Sequence, residues 1–256
     1  MKTTTCNTIK TEDEKNFEIA KEKILSGARQ RQGIGTLGEK TLHAIIKNYY
    51  CPDEKFQEVK IGKYFADIYK DGMIIEIQTR NFDKLRKKLE VFLQENHVTI
   101  VYPIPKEKWI IWVDPVTGET KKPRKSPVCG TEYTAFKELY KIKLFLNNPR
   151  LHIKLLLMDM EEYRLQNGWS RDGKKGSERY DRIPLKLQEE TNIDDVRDYI
   201  QFVPNQLEEF TSKDFAKETK TSLRQAQTVI NILCYLGCII KTGKSGRSNL
   251  YRGADW

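Results

Sequence analysis

Histidine and cysteine are both scarce here, with three and five residues among 256. The cysteines, at 6, 51, 129, 234 and 238, are odd in number and form no CxxC pair. That excludes a disulfide framework or a structural zinc site as the organising device, and makes a reducing cytoplasm the expected location. The histidines, His43, His97 and His152, show no HxH or HExxH spacing, which argues against a histidine-built metal site. No apolar run approaches membrane-spanning length, and the N-terminus has no apolar segment of a secretory leader. A Ser-His-Asp order, a P-loop, a dinucleotide fingerprint and an internal repeat are all missing, so neither a membrane nor a small-molecule cofactor is an expected partner. Acidic residues are outnumbered, 36 against 45 basic, for a net charge of +9. The imbalance is local: residues 121–182 hold 15 basic and 8 acidic side chains. A polyanion is the partner that such a distribution suits.

What the chain does contain is a hairpin with acids at fixed positions, in residues 63–78. Asp71-Gly72 is a type I′ turn signal, because both central residues of that turn need positive φ. A two-residue loop pairs Lys70 with Met73, Tyr69 with Ile74 and Ile68 with Ile75, and sets Asp67 opposite Glu76. Alternation then predicts Phe65, Asp67, Tyr69, Ile74, Glu76 and Gln78 on one face, and Ala66, Ile68, Ile75 and Ile77 on an apolar core face. Two carboxylates directly opposed repel one another unless a cation lies between them. The bland alternative is a pair of ordinary solvated strand acids.

Glu39 opens a stretch with apolar residues at helical spacing, residues 38–49. An acid on a helix, then Asp67-x8-Glu76-x-Gln78 across a hairpin, then a helical segment (82–95) and a strand (97–102), resembles the PD-(D/E)XK nuclease superfamily over about residues 35–113. Ala66-Asp67 stands for the Pro-Asp of the motif and Gln78 for its lysine. The resemblance implies a restriction-endonuclease-like α/β fold, a mixed sheet flanked by helices, and metal-dependent hydrolysis of a phosphodiester. In that scheme Asp67, Glu76 and the Ile77 main-chain carbonyl hold Mg²⁺ or Mn²⁺. Gln78 orients the attacking water, and Glu39 holds the outer water shell. Glutamine supplies no charge at the motif position, so Arg80, Lys84 or Lys87 is the expected source of the missing cation. His43, one helical turn after Glu39, reads as a packing or supporting residue.

The remaining chain reads more coarsely. Residues 1–33 include an amphipathic helix through Phe17, Ile19, Ala20, Ile24 and Leu25. Pro103 and Pro105 predict a break before a strand at 109–113, and a helix (132–146) and strand (151–158) extend the sheet. Residues 166–200 form a basic loop and linker, in which Lys174, Lys175 and Arg179 contact phosphates or else remain merely solvated. In residues 201–256, Thr211 and Asp214 have capping-box spacing, Ser222 caps a second helix, and a basic hairpin follows. That order resembles a small C-terminal winged-helix domain, implying DNA contacts from Lys220, Ser222, Arg224, Gln225 and Thr228 on the helix and from Lys244 and Arg247 on the wing. The expected layout is a nuclease-like domain (1–165), the linker, and a winged helix (201–256). The expected partner is DNA, with room for a second copy or a partner protein. The competing expectation is a catalytically inactive nuclease-fold protein that binds DNA in a regulatory role.

Overall fold

A computed structural model describes residues 6–8, 11–30, 41–168 and 177–254. Its elements, in chain order, begin with β1 (Cys6–Thr8), α1 (Thr11–Gln30), α2 (Thr41–Tyr50), β2 (Gln57–Ile61), β3 (Tyr64–Lys70), β4 (Met73–Ile77) and α3 (Arg86–Phe92). There follow β5 (His97–Val113), β6 (Arg124–Lys125), α4 (Phe136–Leu139), β7 (Leu151–Leu165) and β8 (Arg179–Ile193). The chain ends in β9 (Glu209–Phe210), α5 (Ser212–Glu218), α6 (Leu223–Tyr235), β10 (Ile239–Ser245) and β11 (Ser248–Gly253).

The fold is α/β, a large mixed sheet flanked by helices. Strands run in the order β1-β8-β7-β5-β4-β3-β2, with β6 on the outer half of β5. The meander β2–β3–β4 is antiparallel, whereas β4, β5 and β7 are mutually parallel. Parallel strands are reached by crossovers, and these carry helical segments onto the sheet. Side chains of β5 sort accordingly: Val98, Ile100, Tyr102 and Ile104 join α3 and α4 in one core, while Val101 joins α1 and α2 in the other. On α1, Phe17 and Ala20 are buried as expected, but Ile19 is 64 % exposed, because it falls off the stripe that meets α2.

Pro103 and Pro105 do not break the sheet; His97–Val113 is one strand of 17 residues. The Val101 carbonyl accepts from Gln78 N–H, so residues of that parity point their backbone polar groups toward β4. The β4 ladder ends at Ile77, opposite Val101. The two prolines therefore face a side with no β4 donor or acceptor to disappoint. The Pro105 carbonyl is taken by Gly130 N–H at 2.8 Å.

Residues 166–200, expected as loop and linker, include the 15-residue strand β8, which packs Ile183, Leu187 and Ile193 into the sheet's cores or margins. The short strands β9, β10 and β11 form a second sheet, ordered β10-β11-β9. The helices α5 and α6 do not have a core of their own: Phe215, Ala226, Val229 and Leu233 join one cluster with Phe136, Phe202 and the sheet face beneath. No helix among the described residues is long and apolar enough to cross a membrane.

Candidate functional site

The hairpin forms as its turn dictates. Asp71 and Gly72 both have positive φ, and Lys70, Tyr69 and Ile68 pair with Met73, Ile74 and Ile75. Past Ile75 the ladder gives way: Ile77 N–H donates to Asp67 Oδ2 at 2.7 Å, a side chain taking the place of a backbone acceptor. Asp67 also meets His43 Nε2, on α2, at 3.1 Å. Glu76 is 2 % exposed, and Lys88 Nζ, on α3, bonds both its oxygens at 2.9 and 3.1 Å.

These contacts correct the expected faces. Along β4 the expected alternation holds, Ile74 and Glu76 toward α3 and Ile77 toward α2. On β3, however, Ala66 joins the α3-side core with Ile74 and Asp67 meets His43 on α2, so Asp67 does not share the face of Glu76. Helices cover both faces of the sheet, so no face is left open to present both carboxylates and Gln78 together. Asp67 turns to α2 and Glu76 to α3. The two acids are nonetheless coupled. Burial first, and then the charge of Asp67, push the Glu76 carboxyl from 4.5 up to about 7, although Lys88 opposes the shift. Burial would raise Asp67 too, but the hydrogen bond and charge of His43, the Ile77 N–H and Lys88 outweigh it and hold Asp67 below the usual 3.8.

Asp67 opens onto a cleft of about 750 Å³ at the end of β4. Lys47 lies on its wall and binds Glu58 at 2.7 Å. Gln78 lines the cleft as well, and its amide nitrogen donates to the Arg80 carbonyl across a turn. Arg80 and Lys84 line the rim. The cation that meets Glu76 is Lys88, one position from the expected Lys87, because Leu85, Leu89 and Phe92 turn that stripe of the helix inward. Arg182 also reaches the cleft wall from β8, a contact no local motif signals.

Among the described residues no cluster of three or more His, Cys, Asp or Glu side chains is placed to hold a metal. Mg²⁺ asks for less than that, since one or two carboxylates with water and substrate oxygens suffice. Asp67 and the Ile77 carbonyl are oxygen donors at the cleft wall, and Glu76, turned toward α3, would join them only by exchanging Lys88 for the ion. Glu39 lies outside the described residues, as do Lys174 and Lys175.

The other expected contacts divide. Arg179 is engaged with buried Glu162 at 3.1 Å. The Ser222 hydroxyl caps α6 by accepting from Gln225 N–H, and Thr228 Oγ1 donates to the Arg224 carbonyl, so both hydroxyls are occupied by the helix itself. Gln225 is half-buried, while Lys220, Arg224, Lys244 and Arg247 are exposed. A groove of about 330 Å³ between α6 and the β10–β11 hairpin adds Gln227, Asn231 and Asn249, which the sequence reading did not single out. Parallel pairing of β5 with β7 also unites two histidines judged scattered by spacing: His97 Nδ1 and His152 Nε2 lie 3.1 Å apart.

Comparison with known proteins adds relationship without chemistry. An uncharacterized protein of Treponema pallidum (strain Nichols) is 26 % identical over 226 residues, covering 86 % of this chain and 87 % of its own length. No solved structure matches significantly. Residues 40–194, from the start of α2 to the end of the large sheet, match a whole-family description, Domain of unknown function (DUF8091). The chain belongs to that family.

Proposed function

We propose that the protein is a divalent-metal-dependent endodeoxyribonuclease with a restriction-endonuclease-like core and a C-terminal winged helix. The observation that carries this reading is the coupled pair Asp67–Glu76, sited where β3 and β4 part and beside a cation-lined cleft. A cleft carboxylate held ionised beside a buried carboxyl whose pKa it raises is a signature of functional chemistry more often than of scaffolding. The order helix, antiparallel meander, helix, parallel strand supports the same reading, since it is the order the nuclease resemblance implies. Bound Mg²⁺ or Mn²⁺ would acidify a water and offset charge on the scissile phosphate. Asp67 stays ionised through His43 and the Ile77 N–H. Lys88, which bonds Glu76, would be released when Glu76 turns to the ion and would then supply from α3 the positive charge that Gln78 lacks. Arg80, Lys84 and Arg182 attract the phosphate backbone.

Capped α5, capped α6 and the β10–β11 hairpin follow winged-helix order, with Arg224 near the start of α6 and Lys244 and Arg247 at the hairpin tip. In such a domain the second helix enters the major groove and the hairpin meets the backbone.

A second reading, a DNA-binding protein without catalysis, is favoured by one feature. Glu76 is already bonded by Lys88 through both oxygens, and the Gln78 amide nitrogen already donates to Arg80. Supercoiled plasmid incubated with purified protein and Mg²⁺, Mn²⁺ or EDTA separates the two. Metal-dependent nicking that Asp67→Ala abolishes supports the nuclease. DNA binding with no cutting in any metal supports the second reading, and cutting that persists in EDTA rules out this site.

A further inference from the structure

The cations of the cleft are unevenly matched. Lys47 has Glu58, and His43 has Asp67. Arg80, Lys84 and Arg182 have no carboxylate within ion-pair distance among the described residues. Arg182 is the unusual one, because it is only 7 % exposed and still reaches the cleft wall. Its nearest charges include two more cations, Arg179 and Arg80, with Glu162 as the opposing acid. Burial and that company together bring its guanidinium down to about 10. Burying a guanidinium without a partner is costly, and the cost is recovered when an anion fills its fork of donors.

Charge and shape narrow the anion. A planar guanidinium donates to two phosphate oxygens at a time. A phosphodiester within a strand carries one negative charge, whereas a phosphate monoester is close to dianionic at neutral pH. Three unmatched cations around one corner fit the dianion better. We propose that this corner of the cleft is a subsite for a phosphate monoester, the terminal phosphate of a nucleic-acid strand, with Arg182 as its buried anchor and Arg80 and Lys84 at its rim. The proposal rests on the nucleic-acid reading of the cleft and goes beyond it, since a phosphate end is recognised apart from any cutting.

The test uses the full chain in EDTA at fixed salt. Fluorescence anisotropy compares 5′-phosphorylated, 3′-phosphorylated and unphosphorylated oligonucleotides of one sequence, and inorganic phosphate serves as competitor in a separate arm. One phosphorylated end should bind about tenfold tighter than the unphosphorylated strand, the scale of one charge-assisted hydrogen-bond pair. Arg182→Gln should erase that preference and Arg182→Lys keep part of it. Should Arg182→Gln fail to fold, Arg80→Gln and Lys84→Gln alter exposed side chains and should each reduce the preference at unchanged thermal stability. Equal affinity of the three oligonucleotides overturns the proposal. Phosphate binding that depends on Arg182 without any preference among the strands overturns the terminal-phosphate assignment in favour of free phosphate. Absence of plasmid cutting leaves the end preference standing, so failure of the nuclease reading is told apart. Absence of all oligonucleotide binding overturns both.

Discussion

Replacing Glu76 by glutamine should make the fold more stable at pH 8 than it is in the wild type. The Glu76 carboxyl is raised from 4.5 to about 7 by burial and by the charge of Asp67, even with Lys88 against it. The folded chain thus binds this proton more tightly than the unfolded chain. Its contribution is fully present below about pH 4.5, falls as pH rises to about 7, and is level above that. The shift corresponds to about 3 kcal/mol between the two plateaus. Glutamine keeps the shape without the charge, and Lys88, a quarter exposed, can turn its ammonium to solvent. The variant should therefore gain about 1–3 kcal/mol over wild type at pH 8 and match it near pH 4. Urea unfolding followed by circular dichroism at the two pH values measures this, and subtracting one protein from the other cancels every other titrating group. Mg²⁺ at pH 8 should stabilise the wild type and leave Glu76→Gln unmoved. A wild-type-minus-variant difference that does not change with pH, or a variant weaker at pH 8, refutes the reasoning that this carboxylate is held against its own preference.

Three further outcomes follow from particular contacts. Asp67→Ala should lower cleavage by more than about a hundredfold while oligonucleotide affinity stays nearly the same, since none of the cations proposed to attract phosphate is paired with Asp67; initial nicking rates and anisotropy measure the two separately. Arg224→Glu combined with Arg247→Glu should weaken duplex DNA binding and reduce the slope of log affinity against log salt by about 2, read from a salt titration. Gly130→Ala should cost about 1–3 kcal/mol, because the new Cβ would meet the Pro105 carbonyl oxygen at 2.5 Å and Ile104 Cγ2 at 2.6 Å; thermal unfolding should show a drop of several degrees, and an unchanged midpoint would mean that the loop carrying Gly130 moves aside freely.

Local chemistry was the legible part of this sequence. Asp71-Gly72 fixed a three-pair register residue by residue, and Thr211, Asp214 and Ser222 cap the helices their spacing announced. Proline misled where its context was tertiary: Pro103 and Pro105 look like a break until the end of β4 leaves their side of β5 unpaired. The expected helices at 82–95 and 132–146 are present only in part. Both are 3₁₀ turns joined to short α segments, and Ile142 departs from helical angles within the second. Packing on the sheet decided that, and no periodicity could have. The site was legible in its acids and not in their company. His43, Lys88 and Arg182 come from three separated segments, and only the crossing of α2, α3 and β8 around one strand end brings them to the hairpin. The face assignment held along β4 and failed on β3, where Ala66 joins Ile74 and the Asp67 side chain takes the Ile77 N–H as the ladder ends, which alternation alone does not foresee.

The apolar cluster that runs from the sheet into α5 and α6 has a consequence for how a bound duplex would be handled. Phe215 packs edge-on against Tyr133 at 6.0 Å, and Ala226, Val229 and Leu233 share one buried cluster with Phe136 and Phe202, so the C-terminal helices are bolted to the body and not hung from a tether. A grip fused in this way behaves as a gauge. DNA held by α6 and the hairpin would meet the cleft at one set separation, so the position of any break would be measured by the protein's own dimensions. Cleavage fragments would then end at one or two positions relative to the bound site, where a loosely tethered reader would scatter them.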